Sequence, residues 1–303
     1  MSNTAANLRH KIDSASDLKG VVRTMKALAA SSISQYEKSV SSLGDYYLTV
    51  ELGLSATIQA DDFKEHTDNL VSTAKKEKNI VSAIVFGSDQ GLVGQFNEDI
   101  ADFAIKKLKE LEVESETTQL QVWAVGERVF SRLAEAGLSM VKSFTVPSCI
   151  DEITTLVGQI QIESETHLSN TKASRVYVFY NRMQSSAKYQ PISQRLLPLD
   201  QQWQKKLKKI PWPTKLLPEI LGDNDKTIRA LIREYIFISL YRACAESLAS
   251  ENASRLSAMQ RAEKNIEELL EKLDKEFHVL RQNTIDAELN DVLAGYELLT
   301  TNR

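Results

Sequence analysis

From Asp223 to Ala294 the chain runs roughly seventy residues without a glycine or a proline. A straight helix of that length would measure about 105 Å at 1.5 Å per residue, several times the length of an ordinary globular helix. A domain of this size does not bury such a helix along its whole length, so the run predicts a shaft, a tether or half of a coiled coil. Its apolar residues favour the coiled coil. Ile228, Leu231, Tyr235, Ile238, Tyr241, Ala245 and Leu248 share one face. The stripe then shifts by one residue to Ala249, Ala253 and Leu256. It continues through Met259, Ala262, Ile266, Leu270, Leu273, Phe277 and Leu280. A one-residue shift is a stutter, which locally relaxes a supercoil.

The other end of the chain carries a matching pattern. Leu8, Ile12, Ala15, Leu18, Val22, Met25, Ala29, Ile33, Tyr36, Val40, Leu43, Tyr47, Val50 and Leu54 follow 3/4 spacing. That is an a/d stripe over about six heptads. Gly20, Gly44 and Gly53 read as interruptions of its exposed face, each costing about 1 kcal/mol against alanine. Two such stripes, one at each end of one chain, satisfy each other most economically as an antiparallel pair. The C-terminal helix is the longer, so its far end is expected to project or to pair elsewhere.

Between them the hydrophobic period changes. Ile80–Phe86, Leu120–Val125 and Arg175–Tyr180 read as strands, with Val141–Val146 a third candidate in chain order and Tyr189–Leu199 extended. Helical patterns fill Asn97–Leu111, Glu127 to the break at Gly137, and Ile153–Leu168. Strands alternating with helices of this length predict an α/β layer with a largely parallel sheet. The expected fold class is therefore α/β plus a long antiparallel coiled coil, with the α/β domain inserted between the paired terminal helices. The segments are 1–57 (N-terminal coiled-coil helix), 58–79 (linker, with a short helix possible in its polar part), 80–218 (α/β domain) and 219–303 (C-terminal coiled-coil helix).

Composition narrows the function classes. The net charge of −4 gives no support to general nucleic-acid binding. No stretch approaches 18 uncharged apolar residues, so no membrane span is expected, and MSNTAANLRHKID lacks the apolar core of a secretory signal. Cys149 and Cys244 lie far apart and suit a reducing compartment without a disulfide framework. His10, His66, His167 and His278 show no metal-ligand spacing, so neither metal nor cofactor is expected.

Chemistry-bearing patterns are few. Gly87-Ser88-Asp89-Gln90-Gly91-Leu92-Val93-Gly94 follows a strand and precedes a helix, the context in which a loop cradles phosphate. It lacks the Gly-Lys-Ser/Thr ending and the dinucleotide spacing, so it reads as a strand-to-helix turn ahead of a nucleotide site. Asp61-Asp62 and Glu267-Glu268 are adjacent pairs that do not face each other on a helix, and read as solvated faces. Lys19, Arg23 and Lys26 recur on one N-terminal face. They read either as a solvated face or as a track for an acidic partner surface.

Four blocks together resemble the gamma subunit of F-type ATP synthases over nearly the whole chain. Ile12–Ala30 (IDSASDLKGVVRTMKALAA) is similar to the gamma motif I-x-S-V … K-I-T-x-A-M-K-M-V-A. Gly87–Asn97 (GSDQGLVGQFN) is similar to its S-D-R-G-L-C-G-x-x-N turn, and Pro191–Leu199 (PISQRLLPL) to a proline-rich strand of its globular domain. Leu248–Gly295 resembles L-A-S-E-x-A-A-R-M-x-A-M followed by A-R-Q-x-x-I-T-x-E-I-x-E-I-x-x-G. There are departures: Gly20-Val21-Val22 replaces part of the K-I-T wording, and Ser31 and Ser32 stand where a lysine is common. Gln90 replaces arginine, Val93 cysteine and Asp286 threonine. These are compatible with a divergent paralogue such as the gamma of sodium-translocating N-ATPases. No long cysteine-bearing insertion follows the fourth strand, so the thiol control of chloroplast gammas is not expected.

The resemblance implies a central rotor shaft with no catalytic site of its own, coupling ion translocation to ATP synthesis or hydrolysis in the alpha and beta subunits. Its implied partners are those subunits, epsilon and the membrane c-ring. Its implied place is the cytoplasmic face of a bacterial or archaeal membrane, as a peripheral protein. Residue by residue, Arg281 and Gln282 match positions that engage beta loops near the shaft tip. Met25, Lys26 and the neighbouring Arg23 match the neck facing the acidic lever loop of beta, and Glu251 and Arg255 match the polar positions of the L-A-S-E-x-A-A-R block. Trp212, Leu216 and Leu217, in a proline-broken basic stretch, are expected to face the membrane ring or epsilon. The competing readings are a static coiled-coil scaffold with an α/β head and a small nucleotide-binding enzyme built on the Ser88–Gly94 turn.

Overall fold

The computed structural model describes residues 5–59, 80–113, 119–171, 175–185, 188–198, 207, 210–214, 218–219 and 222–301. The polar part of the expected linker, with its possible short helix, lies outside the described residues. In chain order the elements are α1 (Ala5–Gln59), β1 (Ile80–Phe86), α2 (Phe96–Val113), β2 (Gln119–Val125), α3 (Glu127–Glu135), β3 (Met140–Phe144), α4 (Ile150–Thr171), β4 (Arg175–Ser185), β5 (Lys188–Leu197) and α5 (Asn224–Thr301). By internal contacts the chain divides into two compact units. One comprises Met1–Leu28 and Leu256–Arg303, the other Ala29–Arg255.

In the first unit the ends of α1 and α5 pair antiparallel. Lys19 lies opposite Glu267, while Arg23 and Lys26 lie opposite Glu263, so residue numbers fall along one helix as they rise along the other. Ala15, Val22, Met259 and Ile266 form the buried seam, flanked by Met25, Ala258, Ala262 and Leu270. Burying each large apolar side chain contributes about 1.5–3 kcal/mol.

The seam on α1 has a stricter period than expected. Leu8, Ala15, Val22, Ala29, Tyr36 and Val50 are all buried, each a multiple of seven from the last, with half-buried Leu43 filling the remaining step. The second seam row is also heptadic: Ile12, Lys19, Lys26, Ile33, Val40 and Tyr47 are half-buried and Leu54 is fully buried. A sustained seven-residue repeat imposes a left-handed supercoil. Leu18, expected on the stripe, is 53 % exposed instead. Lys19 holds that place, because a lysine lays its methylene stem along an apolar seam while its ammonium reaches solvent or a carboxylate.

The second unit repeats the antiparallel pairing and adds the sheet. Ser39 Oγ and Tyr241 OH are 3.0 Å apart, and the Tyr46 hydroxyl donates to Glu234. Gly53 faces the partner helix, contrary to the exposed position expected for it: a Cβ there would stand 3.1 Å from Leu231 Cδ2. Gly20 and Gly44 do face open space. Val50, Leu54, Leu207, Ile228, Tyr235 and Ile238 close this end of the pair.

The sheet has the order β3-β2-β1-β4-β5, parallel except for the β4–β5 hairpin. All seven residues of β1 are buried, as expected of a parallel strand covered by helices on both faces. Alternation sorts its side chains. Val81, Ala83 and Val85 pack with Ile100, Ala104 and Leu108 of α2 and Val129 and Leu133 of α3. Ile84 and Phe86 pack with Ile153, Val157 and Ile160 of α4 and with Leu240, Cys244 and Leu248 of α5. Between Ser239 and Ser254, α5 is therefore buried almost all round, by the sheet as well as by α1. Small residues on that stretch, Ala243, Cys244, Ala245 and Ala249, let the helix approach closely. Burial pushes the Cys244 thiol strongly upward.

Candidate partner-binding surface

Three groups of residues singled out by the sequence fall in different settings. The first is the basic track on α1. Lys19 Nζ sits 2.9 Å from Glu267 Oε1, and Arg23 Nε donates to Glu263 Oε1 at 2.7 Å. Lys26 donates to the other oxygen of Glu263. In the structure these three cations meet carboxylates of the chain's own α5, and Glu267, read as part of a solvated pair, is one of them. Hydrogen bonds from Lys26 and Arg23 hold the Glu263 carboxyl down to about 2, and the Glu263 bond raises the Arg23 guanidinium. Arg23 still leaves 60 % of its side chain exposed. Met25 is half-buried against the seam.

The second group is Glu251 and Arg255, one turn apart on α5 in the Ala29–Arg255 unit. Arg255 Nη2 donates to Glu251 Oε1 at 2.7 Å, and Nη1 donates to Asn252 Oδ1 at 3.3 Å. Glu251 is 5 % exposed. Burial raises its carboxyl above the usual range, Arg255 opposes that shift, and Asp89 adds to it. Both line a polar cavity of about 240 Å³ with Ser32, Tyr36, Asp89 and Ser148. Burial pushes the Tyr36 hydroxyl up to about 12.

Asp89 and Gln90 of that lining belong to the Gly87–Gly94 turn, several of whose polar groups are bonded within the protein. Gly87 N–H donates to Val125 O at 2.8 Å and Ser88 N–H to Asn97 Oδ1 at 2.9 Å. Asn97 Nδ2 returns a bond to Ser88 Oγ at 2.8 Å. Asp89 accepts from the backbone N–H of Glu127 at 2.9 Å and of Val146 at 2.8 Å. Gly126 (φ 111°) permits this closeness: a Cβ there would stand 2.8 Å from the Ser88 backbone. A phosphate cradle needs inward-aimed backbone donors; here those of Gly87 and Ser88 tie β1 to β2 and α2. These bonds tie the start of the turn into the sheet and into α2. On the far side, Ser250 Oγ donates to Asn181 O at 3.0 Å and Ser254 Oγ donates to Val93 O. Asn97 ends the Gly87–Asn97 block and the two serines lie in the Leu248–Gly295 block, which gives them no role of their own, while Asn181 carries no signal, because a lone polar residue in a strand pattern has no telling spacing.

The third group lies at the far end of α5. Every residue from 281 to 293 is exposed, Arg281 and Gln282 included. So are the apolar Ile285 at 52 %, Leu289 at 57 %, Val292 at 70 % and Leu293 at 52 %. They recur at four and three or four residues, a stripe of the kind that elsewhere in the chain packs on a partner. Trp212 is 37 % exposed and donates its Nε1–H to Thr214 Oγ1 at 3.1 Å. Leu216 and Leu217 lie outside the described residues. Among the described residues no group of three or more potential ligands assembles for a metal ion, and no helix is long and apolar enough to cross a membrane.

Residues 4–299 match the family model described as ATP synthase. The ATP synthase gamma chain of Dechloromonas aromatica (strain RCB) is 25 % identical over 290 residues, covering 95 % of this chain and 96 % of that one. The gamma chain of Nitrosomonas eutropha is 24 % identical over 298 residues, covering 96 % and 98 %. A chain in the cryo-EM structure of Euglena gracilis mitochondrial ATP synthase (OSCP/F1/c-ring, rotational state 3) superposes with a TM-score of 0.61 at 15 % identity, covering 97 % of this chain and 94 % of its own. A second, from the rotor of that synthase in rotational state 1, gives 0.56 at 14 % identity, with 93 % and 98 % covered. At such identities the structural likeness speaks for the fold: two long terminal helices with a mostly parallel sheet inserted between them.

Proposed function

This chain belongs to the ATP synthase gamma family, and on that premise we propose that its paired terminal helices are the turning shaft that couples ion translocation through a membrane ring to ATP synthesis or hydrolysis in the alpha and beta subunits. As a gamma subunit it is a non-catalytic part of the central stalk.

The observation that carries the reading is the exposed end of α5. A polar helix end needs no partner, but Ile285, Leu289, Val292 and Leu293 leave an apolar stripe in water. Such a stripe suits an apolar collar formed by surrounding subunits, and an apolar collar offers little directional resistance to a turning helix. In this reading Arg281 and Gln282 engage beta loops beside that collar. Met25, Lys26 and Arg23 form the neck, where the exposed side of Arg23 meets an acidic loop of beta. Arg255 contributes from the other unit, with buried Glu251 orienting it. Trp212, Leu216 and Leu217 face the membrane ring or epsilon. Segments 1–57 and 219–303 then act as shaft, 80–218 as the domain that grips the ring, and 58–79 as their linker. The protein works as a peripheral component on the cytoplasmic face of a bacterial cell membrane.

The test uses exposed Cys149 as a handle. The complex is purified, its alpha and beta subunits are identified and anchored, and a bead is attached at Cys149. Stepwise rotation on addition of ATP is expected. A bead that stays still while the anchored head hydrolyses ATP supports a static scaffold and overturns the proposal.

A further inference from the structure

In the Ala29–Arg255 unit, α1, β4 and α5 border an open groove of about 520 Å³. Two arginines in its wall share one carboxylate. Arg182 Nε donates to Glu246 Oε2 at 2.6 Å, and Arg242 Nε donates to Glu246 Oε1 at 2.7 Å. Arg182 Nη2 also donates to the Tyr180 hydroxyl at 2.6 Å, and its guanidinium carbon lies 5.6 Å from the centroid of that ring. These contacts hold the planar forks in place before any ligand arrives. The Glu246 side chain is only 10 % exposed, against 42 % for Arg182 and 41 % for Arg242. Beside its apolar wall the groove therefore shows the two guanidinium edges and the exposed Glu37 carboxylate, while Glu246 is nearly covered. Each guanidinium carries five N–H donors, so these bonds leave Nη hydrogens on both arginines for a further acceptor. Val40, Met183 and Ala249 supply an apolar wall.

We propose that this groove receives an acidic side chain of a partner protein, with its carboxylate on the Nη groups of Arg182 and Arg242 and its alkyl stem along Val40, Met183 and Ala249. A planar carboxylate matches a guanidinium fork in two parallel bonds. A free small anion fits less well. The groove is much roomier than a single phosphate, and half-exposed arginines already bonded to Glu246 gain little from a free ion in salt solution. A carboxylate carried on a larger docked surface has already given up its translational freedom, so the same bonds count for more. The apolar wall likewise has a use only for a ligand with a stem. Exposed Glu37, also in the wall, is the groove's own competitor for the arginines.

The inference rests on this chain assembling with other subunits, as proposed above. Arginine modification by phenylglyoxal, mapped by mass spectrometry, tests it on the free chain and on the purified complex. Arg182 and Arg242 should react about tenfold more slowly in the complex, the factor that one charge-assisted hydrogen bond held on their Nη groups supplies. Excess inorganic phosphate should not protect them in the free chain. Glu37→Gln should tighten assembly, and Arg242→Lys, which keeps the charge but loses the fork, should weaken it. An intact complex whose two arginines react as in the free chain overturns the groove proposal alone. Protection by phosphate replaces it with a free-anion site. Failure of the chain to assemble at all counts instead against the functional reading.

Discussion

Arg23 and Glu263 are 240 residues apart in the chain and meet at 2.7 Å. With Lys19 on Glu267 and Lys26 on Glu263, they set the register of α1 against α5 in their unit. A one-turn slip would bring these cations opposite other side chains. Zero-length carbodiimide coupling should therefore join Lys19 to Glu267 and Lys26 to Glu263, read as cross-linked tryptic peptides. Coupling of these lysines only to acids elsewhere in the chain would refute the register. Glu263→Lys should lower the melting temperature, by less at high salt because exposed pairs are screened.

The same carboxylate gives the pair a pH dependence. Glu263 titrates near 2 in the folded protein against an ordinary 4.5. Its folded value lies below its unfolded one, so its contribution is present above about 4.5 and fades as pH falls towards 2. Glu251 has the opposite sign: burial raises it, so its contribution is present below its unfolded value and fades as pH rises through the raised one. Thermal melts of Glu263→Gln should decline less steeply than those of the parent across the acid window. Parallel declines would remove Glu263 from the account.

Burial separates two leucines that the sequence pattern treats alike. Leu54 is fully buried at the helix pair, whereas Leu18 is 53 % exposed. Leu54→Ala should cost about 2–5 kcal/mol in chemical denaturation, and Leu18→Ala should stay within about 0.5 kcal/mol. Equal losses would restore Leu18 to the seam.

Two glycines differ in the same way. Gly126 has φ 111°, and a Cβ would meet the Ser88 backbone at 2.8 Å. Gly126→Ala should cost about 2 kcal/mol or more, since both strain and overlap oppose it. Gly20 sits in open helix with nothing within 4 Å. Gly20→Ala should add about 0.5–1 kcal/mol. Melting curves that rank the two variants the other way would contradict the turn geometry.

The Glu251–Arg255 pair is nearly closed off, with 7 % and 13 % of the side chains exposed. Arg255→Met leaves a buried carboxylate without its cation and should cost about 3–5 kcal/mol, while adding Glu251→Met should recover most of that loss. A double variant as unstable as the single would show that packing, and not charge, dominates there.

Helix and strand identity followed from run length, period and chain breakers together. The glycine- and proline-free run became α5, the heptads of the N-terminus became α1, and the short apolar runs became a mostly parallel sheet, because each period matches one backbone geometry. The family blocks were equally legible, since they are strings of residues. The pairing of Lys19, Arg23 and Lys26 with Glu263 and Glu267 was not. Their spacings fit both a solvated face and a lattice of ion pairs, and only antiparallel registration of helices from opposite ends of the chain selects between them. Nor does any stripe announce that α5 is buried almost all round from Ser239 to Ser254. That follows from two neighbours, α1 and the sheet, covering different sides of one helix. A hydrophobic period counts one buried face, and the number of faces a helix buries is set by what the rest of the chain brings against it.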